Sequence, residues 1–439
     1  MTIAKKQTSV DPRATNSSQK VRAATGSTMG AIIENYDFLA YGTAAALYLG
    51  PAFFPSTDPL ISTLSAFAAL GVGFLMRPVG GIIAGHLGDR LGRKPVFVGA
   101  LMLMGIGTFL IGLLPTYETI GIAAPILLVL LRLIQGIGYG AEWGGAILMT
   151  FEHAPARRRG FYAAIPQIGV PAGLLLANLA FLAVIGVTND WAWRVPFLLS
   201  AVLVFVGLWI RYGISESPEF ELAKSKKELV RNPIGEVLRR DGKTVLQAIC
   251  LRLAETVGFY VVVTFLLTYL VQADIATKGI GLLGIVLASI IGLVSHPIYG
   301  ALSDRFGRKT VYIFGSAFVT LFAFPMFLLI NTGNAVLIIA AMILALVIGH
   351  DSLAGVQSSW FPELFHTSKR MSGASLGYQG AAVIAGFVPF IATGLWALWG
   401  WAGVSVLVVI VGLISLIAAL ITPETAPVKA ELPNLVAVG

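Results

Sequence analysis

Four ionisable residues lie inside long apolar stretches of this chain. Glu34 and Asp37 are one helical turn apart, and Arg132 and Glu142 share a later stretch. If these stretches cross a membrane, each charge costs about 2.5–3.5 kcal/mol and needs a cavity or a partner. Burial favours a protonated carboxyl and a nearby guanidinium favours an ionised one, so an acid that alternates between these environments binds and releases a proton. We predict that Asp37 carries a proton with Arg132 as its partner, the alternative being a permanent ion pair. Glu34 and Glu142 are further proton-coupling candidates, with packing as the alternative for Glu142.

Two arginines could bind a substrate carboxylate, because a guanidinium forms paired hydrogen bonds with a carboxylate. Arg77 closes an apolar stretch before a proline and two glycines, and a side chain that reaches the membrane surface is the equal alternative. Arg252 lies deeper in its stretch, where simple neutralisation by Glu255 is the alternative. We predict that these three residues bind substrate. Aromatic and amide residues that could join them, with packing as their alternative, are Tyr41, Gln167, Tyr260, Tyr378 and Gln379.

The remaining candidates for chemistry are the neighbouring residues His350 and Asp351 and a single cysteine. His350 could titrate near neutral pH, but it stands next to Asp351, and we predict a fixed hydrogen-bonded pair. The single Cys250 excludes an internal disulfide and a cysteine-based metal site. The sequence has no Walker phosphate loop, no His/Cys metal spacing and no nucleophile elbow. We therefore predict a protein that is not an enzyme and that uses neither a metal nor a cofactor.

A charged motif occurs twice in the chain. GHLGDRLGRK at 85–94 returns as GALSDRFGRK at 300–309. A segment that begins with glutamate and ends with arginine, at 152–159, returns at 363–370. The repeats indicate two related halves. An aspartate and an arginine can join helix ends through charge-assisted bonds and the helix dipole, and glycine lets helices approach closely. We predict that the repeats gate a moving protein, the alternative being plain basic turns. The gating residues would be Gly85, Asp89, Arg90, Gly92, Arg93, Glu152, Arg159, Asp304, Arg305, Arg308, Glu363 and Arg370.

Apolar helices must position these residues. The chain is 56% hydrophobic and 12% charged, against roughly 45–50% apolar and 25% charged residues in soluble domains, and its mean hydropathy is +0.84. Twelve stretches are long enough to cross about 30 Å of hydrocarbon. We predict an all-α membrane protein with twelve transmembrane helices in two pseudo-symmetric six-helix bundles. The stretches are 26–50, 60–85, 95–115, 122–150, 160–186, 195–213, 244–271, 279–302, 310–330, 334–357, 371–395 and 399–422.

Lysine and arginine set the expected orientation. They are concentrated after the second, fourth, sixth, eighth and tenth stretches, and such loops stay cytoplasmic. We expect a multi-pass protein with both termini in the cytoplasm and no cleaved signal. This topology explains the formal charge of +8 without a nucleic-acid partner. The expected parts are an N-terminal tail (1–25), a first bundle (26–213), a linker (214–243), a second bundle (244–422) and a C-terminal tail (423–439).

Several motifs resemble a known family. The repeated GxxxDRxGRK and RLIQGIGYG at 132–140 resemble the major facilitator superfamily. NYDF at 35–38, FLMRPVGG at 74–81, EWGG at 142–145 and WRVPF at 193–197 are similar to its metabolite:proton symporter family.

The resemblance implies proton-coupled import of a small organic acid, such as shikimate or a di- or tricarboxylate, by alternating access. A zwitterionic osmolyte such as proline or betaine, or proton-driven export, is the alternative. In related symporters an acid on helix one and an arginine on helix four couple the proton, which supports Asp37 and Arg132. The expected setting is the lipid bilayer of a bacterial inner membrane, with the protein a monomer.

Overall fold

The structure, a computed structural model, describes residues 17–91, 93–140, 150–151, 154–187, 191–212, 233–366 and 369–426. These residues are mainly helical and include no strand, which confirms the all-α prediction. Besides the short helix Tyr117–Ile120, twelve longer helices occur among them, numbered α1 to α12 in chain order, and each half contributes six.

The first half contains α1 to α6. Their bounds are Ser17–Ala44 extended through Ala45–Leu49 and Gly50–Phe53 (α1), Pro59–Leu75 with Arg77–Leu91 (α2), Arg93–Leu113 (α3), Ala123–Gly140 (α4), Ala156–Val184 (α5) and 192–212 (α6). Helix α2 begins where Asp58 accepts a hydrogen bond from the backbone N–H of Leu60 at 2.8 Å, with Pro59 in the first turn. The helix is interrupted at Met76, so Arg77 opens its second segment.

The second half contains α7 to α12. Their bounds are Pro233–Tyr260 extended through Val261–Phe265 and Leu266–Gln272 (α7), Lys278–Phe306 (α8), Arg308–Ile330 (α9), Ala335–Glu363 (α10), 370–399 (α11) and 401–421 (α12). Helices α8 and α9 are separated only by Gly307, whose φ of 100° favours glycine. Helices α11 and α12 meet at Gly400, whose φ of 65° favours glycine, and a Cβ added at Gly403 would lie 3.0 Å from the carbonyl oxygen of Leu395.

Eight helical stretches among the described residues are long and apolar enough to cross a membrane. One of them, Ser372–Ile421, contains both α11 and α12. Helices α3 and α6 have shorter apolar cores, Val98–Leu113 and Ala192–Leu208. Together with α1, these make up the twelve helices that the apolar stretches predicted.

The predicted linker (214–243) overlaps the first residues of α7. Residues 213–232 lie outside the described part, but α7 already begins at Pro233 and bends at Asp241, where φ is −116°. Val237 is buried against Val245 and Phe365, so this basic segment carries an apolar face. That contact explains why 233–243 is helical.

Three helices contain a π-helical turn. The turns of α1 and α7 begin at Ala45 and Val261, which are equivalent positions of the two halves. The third turn, Ala345–His350, lies in α10 and ends at the residue before Asp351. Such turns widen the helix and often occur at functional sites.

The two halves pack against each other through small residues. Gly71 of α2 lies against Phe387 of α11, and Gly386 of α11 lies against Phe74 of α2. Gly160 of α5 faces Gly300 of α8 so closely that a Cβ on either would overlap the other's carbonyl oxygen. Helices α2, α5, α8 and α11 therefore form much of the seam on which the site lies.

Candidate functional site

A small cavity lies between the two halves. Helices α1, α2, α4 and α5 line it from the first half, and α7, α10 and α11 line it from the second. Its polar lining residues include Asn35, Arg77, Arg252, Glu255, His350 and Tyr378. The cavity therefore brings side chains that are far apart in sequence to one place.

Arg77 faces this cavity from the first half. Its side chain is buried, and its guanidinium carbon lies 3.7 Å from the ring centre of Tyr139 and 5.0 Å from that of Phe74. Its Nε has no hydrogen-bond partner among the described residues. The break at Met76 places Arg77 at the start of a helical segment, beside the cavity and away from the protein surface. A buried donor without a partner is available to a substrate oxygen.

Arg252 faces the cavity from the second half. Its Nε donates a hydrogen bond to Oε2 of Glu255 at 3.1 Å, and its Nη1 donates to the carbonyl of Tyr378. The guanidinium carbon also lies 3.1 Å from the ring centre of Tyr378. The predicted neutralisation by Glu255 is present, yet the same arginine lines the cavity.

Glu255 connects Arg252 to the pair formed by His350 and Asp351. Its second oxygen, Oε1, lies 3.1 Å from Nε2 of His350, and Nδ1 of His350 lies 2.8 Å from Oδ1 of Asp351. Ser295 of α8 donates a hydrogen bond to the other Asp351 oxygen. The predicted His350–Asp351 pair thus exists, but it extends through Glu255 to the arginine.

His296 of α8 lies at the far end of this network. Its Nδ1 lies 2.9 Å from the carbonyl oxygen of Gly292 and 3.6 Å from Oδ1 of Asp351. Ligand atoms of His296, His350 and Asp351 come within 4.8 Å of one another, a spacing that a metal ion could share. His350 already uses both nitrogens on carboxylates, so we treat the group as a hydrogen-bond network.

Asp37 and Arg132 are both buried, but they form no ion pair in this conformation. Both Asp37 oxygens lack a hydrogen-bond partner among the described residues. Arg132 donates to Gln135 at 2.9 Å, and Gln135 donates to Thr108 at 2.7 Å. Thr108 lies beside Asp37 but donates its own hydrogen to the carbonyl of Met104 at 3.0 Å. The hydrogen bonds from Arg132 therefore reach Thr108, next to Asp37, but do not include Asp37 itself.

The other substrate candidates divide into two groups. Tyr260 and Tyr378 line the cavity, whereas Tyr41, Gln167 and Gln379 are not among its lining residues. The Tyr41 ring lies 4.0 Å from the guanidinium carbon of Arg132. Of the acids, Glu34 is buried near Tyr139 and Tyr378, and Glu142 lies outside the described residues.

Among the cavity residues that sequence reasoning missed are Asn35 and Tyr139. Tyr139 donates a hydrogen bond to Oδ1 of Asn35 at 3.3 Å, and both line the cavity. The two residues lie within the NYDF and RLIQGIGYG motifs. Their place in those motifs was the signal that could have identified them.

The second copy of the repeated motif joins the two halves. Asp304 of α8 accepts hydrogen bonds from the backbone N–H groups of Gly160 at 2.8 Å and Phe161 at 2.9 Å, in the first turns of α5. Arg308 is fully buried; it donates to Asp304 at 2.8 Å and lies 3.3 Å from Glu363. We call this side of the molecule the motif face.

Other predicted gating residues surround this contact. Arg159 of α5 and Arg370 of α11 both lie over the ring of Phe151, at 5.0 and 5.2 Å. Arg305 is exposed and lies over Phe306. The structure does not describe the surroundings of Gly85 or the side chains of Asp89, Arg90 and Arg93. Gly92 and Glu152 lie outside the described residues altogether.

The halves also meet on the opposite face. Gln272 at the end of α7 donates to Thr63 of α2 at 2.8 Å, and Thr268 donates to the carbonyl of Ala46 at 3.1 Å. Lys278 at the start of α8 lies 4.6 Å from the ring centre of Tyr48. Contacts therefore join the halves on both sides of the cavity.

Comparisons with known proteins agree with this arrangement. Residues 30–386 match a family model described as Major Facilitator Superfamily. The chain is 43% identical over 417 residues to the shikimate transporter of Escherichia coli (strain K12), covering 92% of this chain and 94% of that relative. It is 35% identical over 389 residues to the proline/betaine transporter of the same strain, covering 85% and 77%.

A solved structure with the same fold is the xylose transporter XylE from E. coli in a partially occluded inward-open conformation. The TM-score is 0.70 at 19% identity, covering 93% of this chain and 99% of that one. At this identity the likeness concerns the fold alone. It confirms the predicted architecture of twelve spanning helices in two six-helix bundles.

Proposed function

Because the chain belongs to the major facilitator superfamily and is a transporter rather than an enzyme, we propose that it is a symporter importing a small organic acid together with protons. Substrate and protons bind in the cavity between the halves. The contacts on the two faces then open in turn, so the cavity meets one side of the membrane at a time.

Two buried arginines from opposite halves carry this proposal. Arg77 and Arg252 both line the cavity, while Glu255 is the acid among its lining residues. A substrate carboxylate would supply the missing negative charge and could accept bidentate hydrogen bonds from either guanidinium. Binding to both arginines would also draw the two halves together around the substrate.

A monocarboxylate of the shikimate kind fits this lining. The relative that is 43% identical is named a shikimate transporter, and the hydroxyls of such an acid could bond to Asn35, Tyr260 and Tyr378 in the lining. A betaine would instead need a free aromatic ring face for its cation. The rings of Tyr139 and Tyr378 are already covered by Arg77 and Arg252. Tyr260 also lines the cavity, but two buried arginines beside it oppose a cationic group, so we favour the organic acid over the osmolyte.

The setting follows from the same proposal. We place the protein in a bacterial inner membrane, with the motif face and both termini in the cytoplasm, as the lysine and arginine distribution favours. Residues 26–213 and 244–422 are then the two moving bundles of a monomer.

Uptake into proteoliposomes tests this function. Purified protein with an inward proton gradient is given labelled shikimate, citrate, 2-oxoglutarate, proline or glycine betaine in turn. We expect accumulation of an organic acid that collapses when a protonophore removes the gradient. Accumulation of proline or betaine alone would contradict the organic-acid assignment, and efflux of the acid driven by the same gradient would indicate an exporter.

A further inference from the structure

Within the network of Arg252, Glu255, His350 and Asp351, two carboxylate oxygens face the ring of His350, and a neutral ring has only one N–H to donate to them. Both ring nitrogens of His350 face carboxylate oxygens, at 3.1 Å on Glu255 and 2.8 Å on Asp351. A neutral imidazole has one N–H and one acceptor nitrogen, and an ionised carboxylate only accepts. One of the two contacts would then place two acceptors against each other.

One additional proton removes this conflict. If it is on His350, the imidazolium donates to both carboxylates, and if it is on Asp351, the carboxyl donates to Nδ1. Arg252 donates to Oε2 of Glu255 and forms a buried ion pair with it, which favours the ionised form of Glu255 and leaves Oε1 as an acceptor toward His350. The surrounding geometry therefore requires a bound proton between His350 and Asp351.

Other polar groups around the pair do not supply that proton. His296 uses its Nδ1 on the carbonyl of Gly292 at 2.9 Å, where a neutral ring can donate, and its Nε2 has no hydrogen-bond partner among the described residues. Ser295 already donates to Asp351. Among the described residues, the titratable groups that interact with the pair are Glu255 on α7 and His296 and Tyr299 on α8. The groups that interact with Glu255 and Arg252 are Tyr260 on α7, Tyr312 on α9 and Tyr378 on α11.

We infer that His350 and Asp351 bind a transported proton in the second half, next to the arginine that receives the substrate. The inference rests on the proposed symport and adds a second proton site to Asp37. His350 and Glu255 both line the cavity, so water there can deliver the proton and take it away.

Charge balance couples this proton to an anionic substrate. With the proton bound, the positive charges of Arg252 and His350 balance Glu255 and Asp351, and the network is neutral. Without it, the network carries one excess negative charge beside the cavity, and Glu255 holds Arg252 more strongly. Proton binding therefore favours the binding of a carboxylate to Arg252, and proton release favours its departure.

The position of Asp351 connects the network to the seam between the halves. Gly292 of α8 packs against Pro171 of α5, and a Cβ at Gly292 would lie 3.5 Å from an Asp351 oxygen. A proton that enters or leaves this pair does so where the two halves meet. The site is therefore placed to respond when they separate.

Histidine spectroscopy tests the bound proton without any substrate. The chain has five histidines, and His350→Gln identifies the signal of interest in ¹³C,¹⁵N-histidine-labelled protein in lipid. At pH 7.5, where a free imidazole is about nine-tenths neutral, we expect either a doubly protonated His350 or an infrared band of a protonated carboxyl. Asp351→Asn should abolish either signature, because the amide can donate to a neutral ring. A neutral His350 without such a band overturns the inference.

Transport measurements test whether that proton crosses the membrane. If Asp37 and the His350–Asp351 pair each carry one proton, a monoanion such as shikimate enters with one net positive charge. An inside-negative potential of about 100 mV should then raise wild-type accumulation by up to about 50-fold. In Asp351→Asn this dependence should disappear while shikimate exchange continues. The matched control Asp274→Asn, at the end of α7, should behave as the wild type.

The outcomes separate the two proposals. Shikimate uptake that ignores the potential in the wild type, or responds to it equally in Asp351→Asn and His350→Gln, overturns the transported proton and leaves the symport intact. A protonated pair in a protein that accumulates none of the organic acids refutes the proposed function, and it supports the proton site.

Discussion

At the scale of single residues, the two arginines of the cavity offer a direct test of substrate binding. Lysine keeps the charge but loses the planar fork that binds a carboxylate bidentately. At position 252 it could reach Glu255 but could not also hold the Tyr378 carbonyl, which Arg252 binds with a separate nitrogen. We expect Arg77→Lys and Arg252→Lys each to weaken shikimate binding by about tenfold or more, or about 1.4 kcal/mol, measured by isothermal titration.

The exposed Arg239 supplies the matched control. Arg239→Lys removes the same guanidinium far from the cavity and should leave the dissociation constant unchanged. Equal melting temperatures for all three variants would show that the fold is intact. A dissociation constant that stays at the wild-type value in both cavity variants would remove these arginines from the substrate site.

Asp37 tests the coupling of the proton to transport. Asp37→Asn mimics the permanently protonated side chain, which in our proposal lets the loaded carrier move but prevents return of the empty carrier. Both oxygens of Asp37 lack a hydrogen-bond partner within the part of the chain that the structure describes, so an amide should be tolerated in its place. We expect substrate exchange to continue and to become less sensitive to external pH, while accumulation driven by a proton gradient is lost.

Counterflow and net uptake measured on the same vesicles give the two readings for Asp37→Asn. If this variant still accumulates substrate against its gradient, Asp37 is not the carrier, and Glu34 becomes the next candidate. Arg132→Ala removes the positive charge whose hydrogen bonds run through Gln135 to Thr108, next to Asp37, and so examines whether that charge influences the proton on Asp37.

At the scale of helices, the contact between α5 and α8 allows a test of the predicted gating role of the motif. Asp304 accepts two backbone hydrogen bonds from the start of α5 and one from Arg308. An asparagine would keep the shape but lose the charge that favours the positive end of a helix. We expect Asp304→Asn to slow shikimate uptake several-fold without changing its equilibrium binding or the amount of protein in the membrane.

The first motif copy extends this test to the other half. Because Asp89 is the equivalent of Asp304 in the repeat, we expect Asp89→Asn to slow transport in the same way. Asp274→Asn is a suitable control, since its φ of 53° is one that asparagine tolerates. Normal rates in both motif variants at equal expression would refute a gating role for these aspartates.

The helices themselves were predictable because a membrane span must be long and apolar, and the repeats identified the two halves. The π-helical turns were not predictable, since Ala345–His350 and its neighbours have no unusual composition. The site likewise has a part that the sequence predicts and a part that it does not. Arg77, Arg252 and Glu255 could be selected as costly charges, but the link from Glu255 to His350 joins residues 95 positions apart. Only the packing of α7 against α10 creates it.

At the scale of the whole molecule, the two halves repeat one framework but carry different chemistry. The motifs and the π-helical turns of α1 and α7 recur at equivalent positions. The first half provides Arg77 and the isolated Asp37, and the second provides Arg252 with a hydrogen-bonded network of acids and histidines. A proton site in each half, with one substrate site between them, allows each half to respond to its own proton.

Alternating access requires both faces to open in turn, and a cross-link on the face opposite the motif tests this requirement. Thr63 and Gln272 touch there through their side chains, with 2.8 Å between Oγ1 and Nε2. Thr63→Cys and Gln272→Cys, in a Cys250→Ser background, can be joined by a short reducible bifunctional thiol reagent. Because substrate can then leave the cavity only on the motif face, we expect both net uptake and exchange to stop. Reduction of the linker should restore both activities. The same reagent on either single-cysteine variant should have no effect, and exchange that persists in the linked protein would show that the substrate does not pass between α2 and α7.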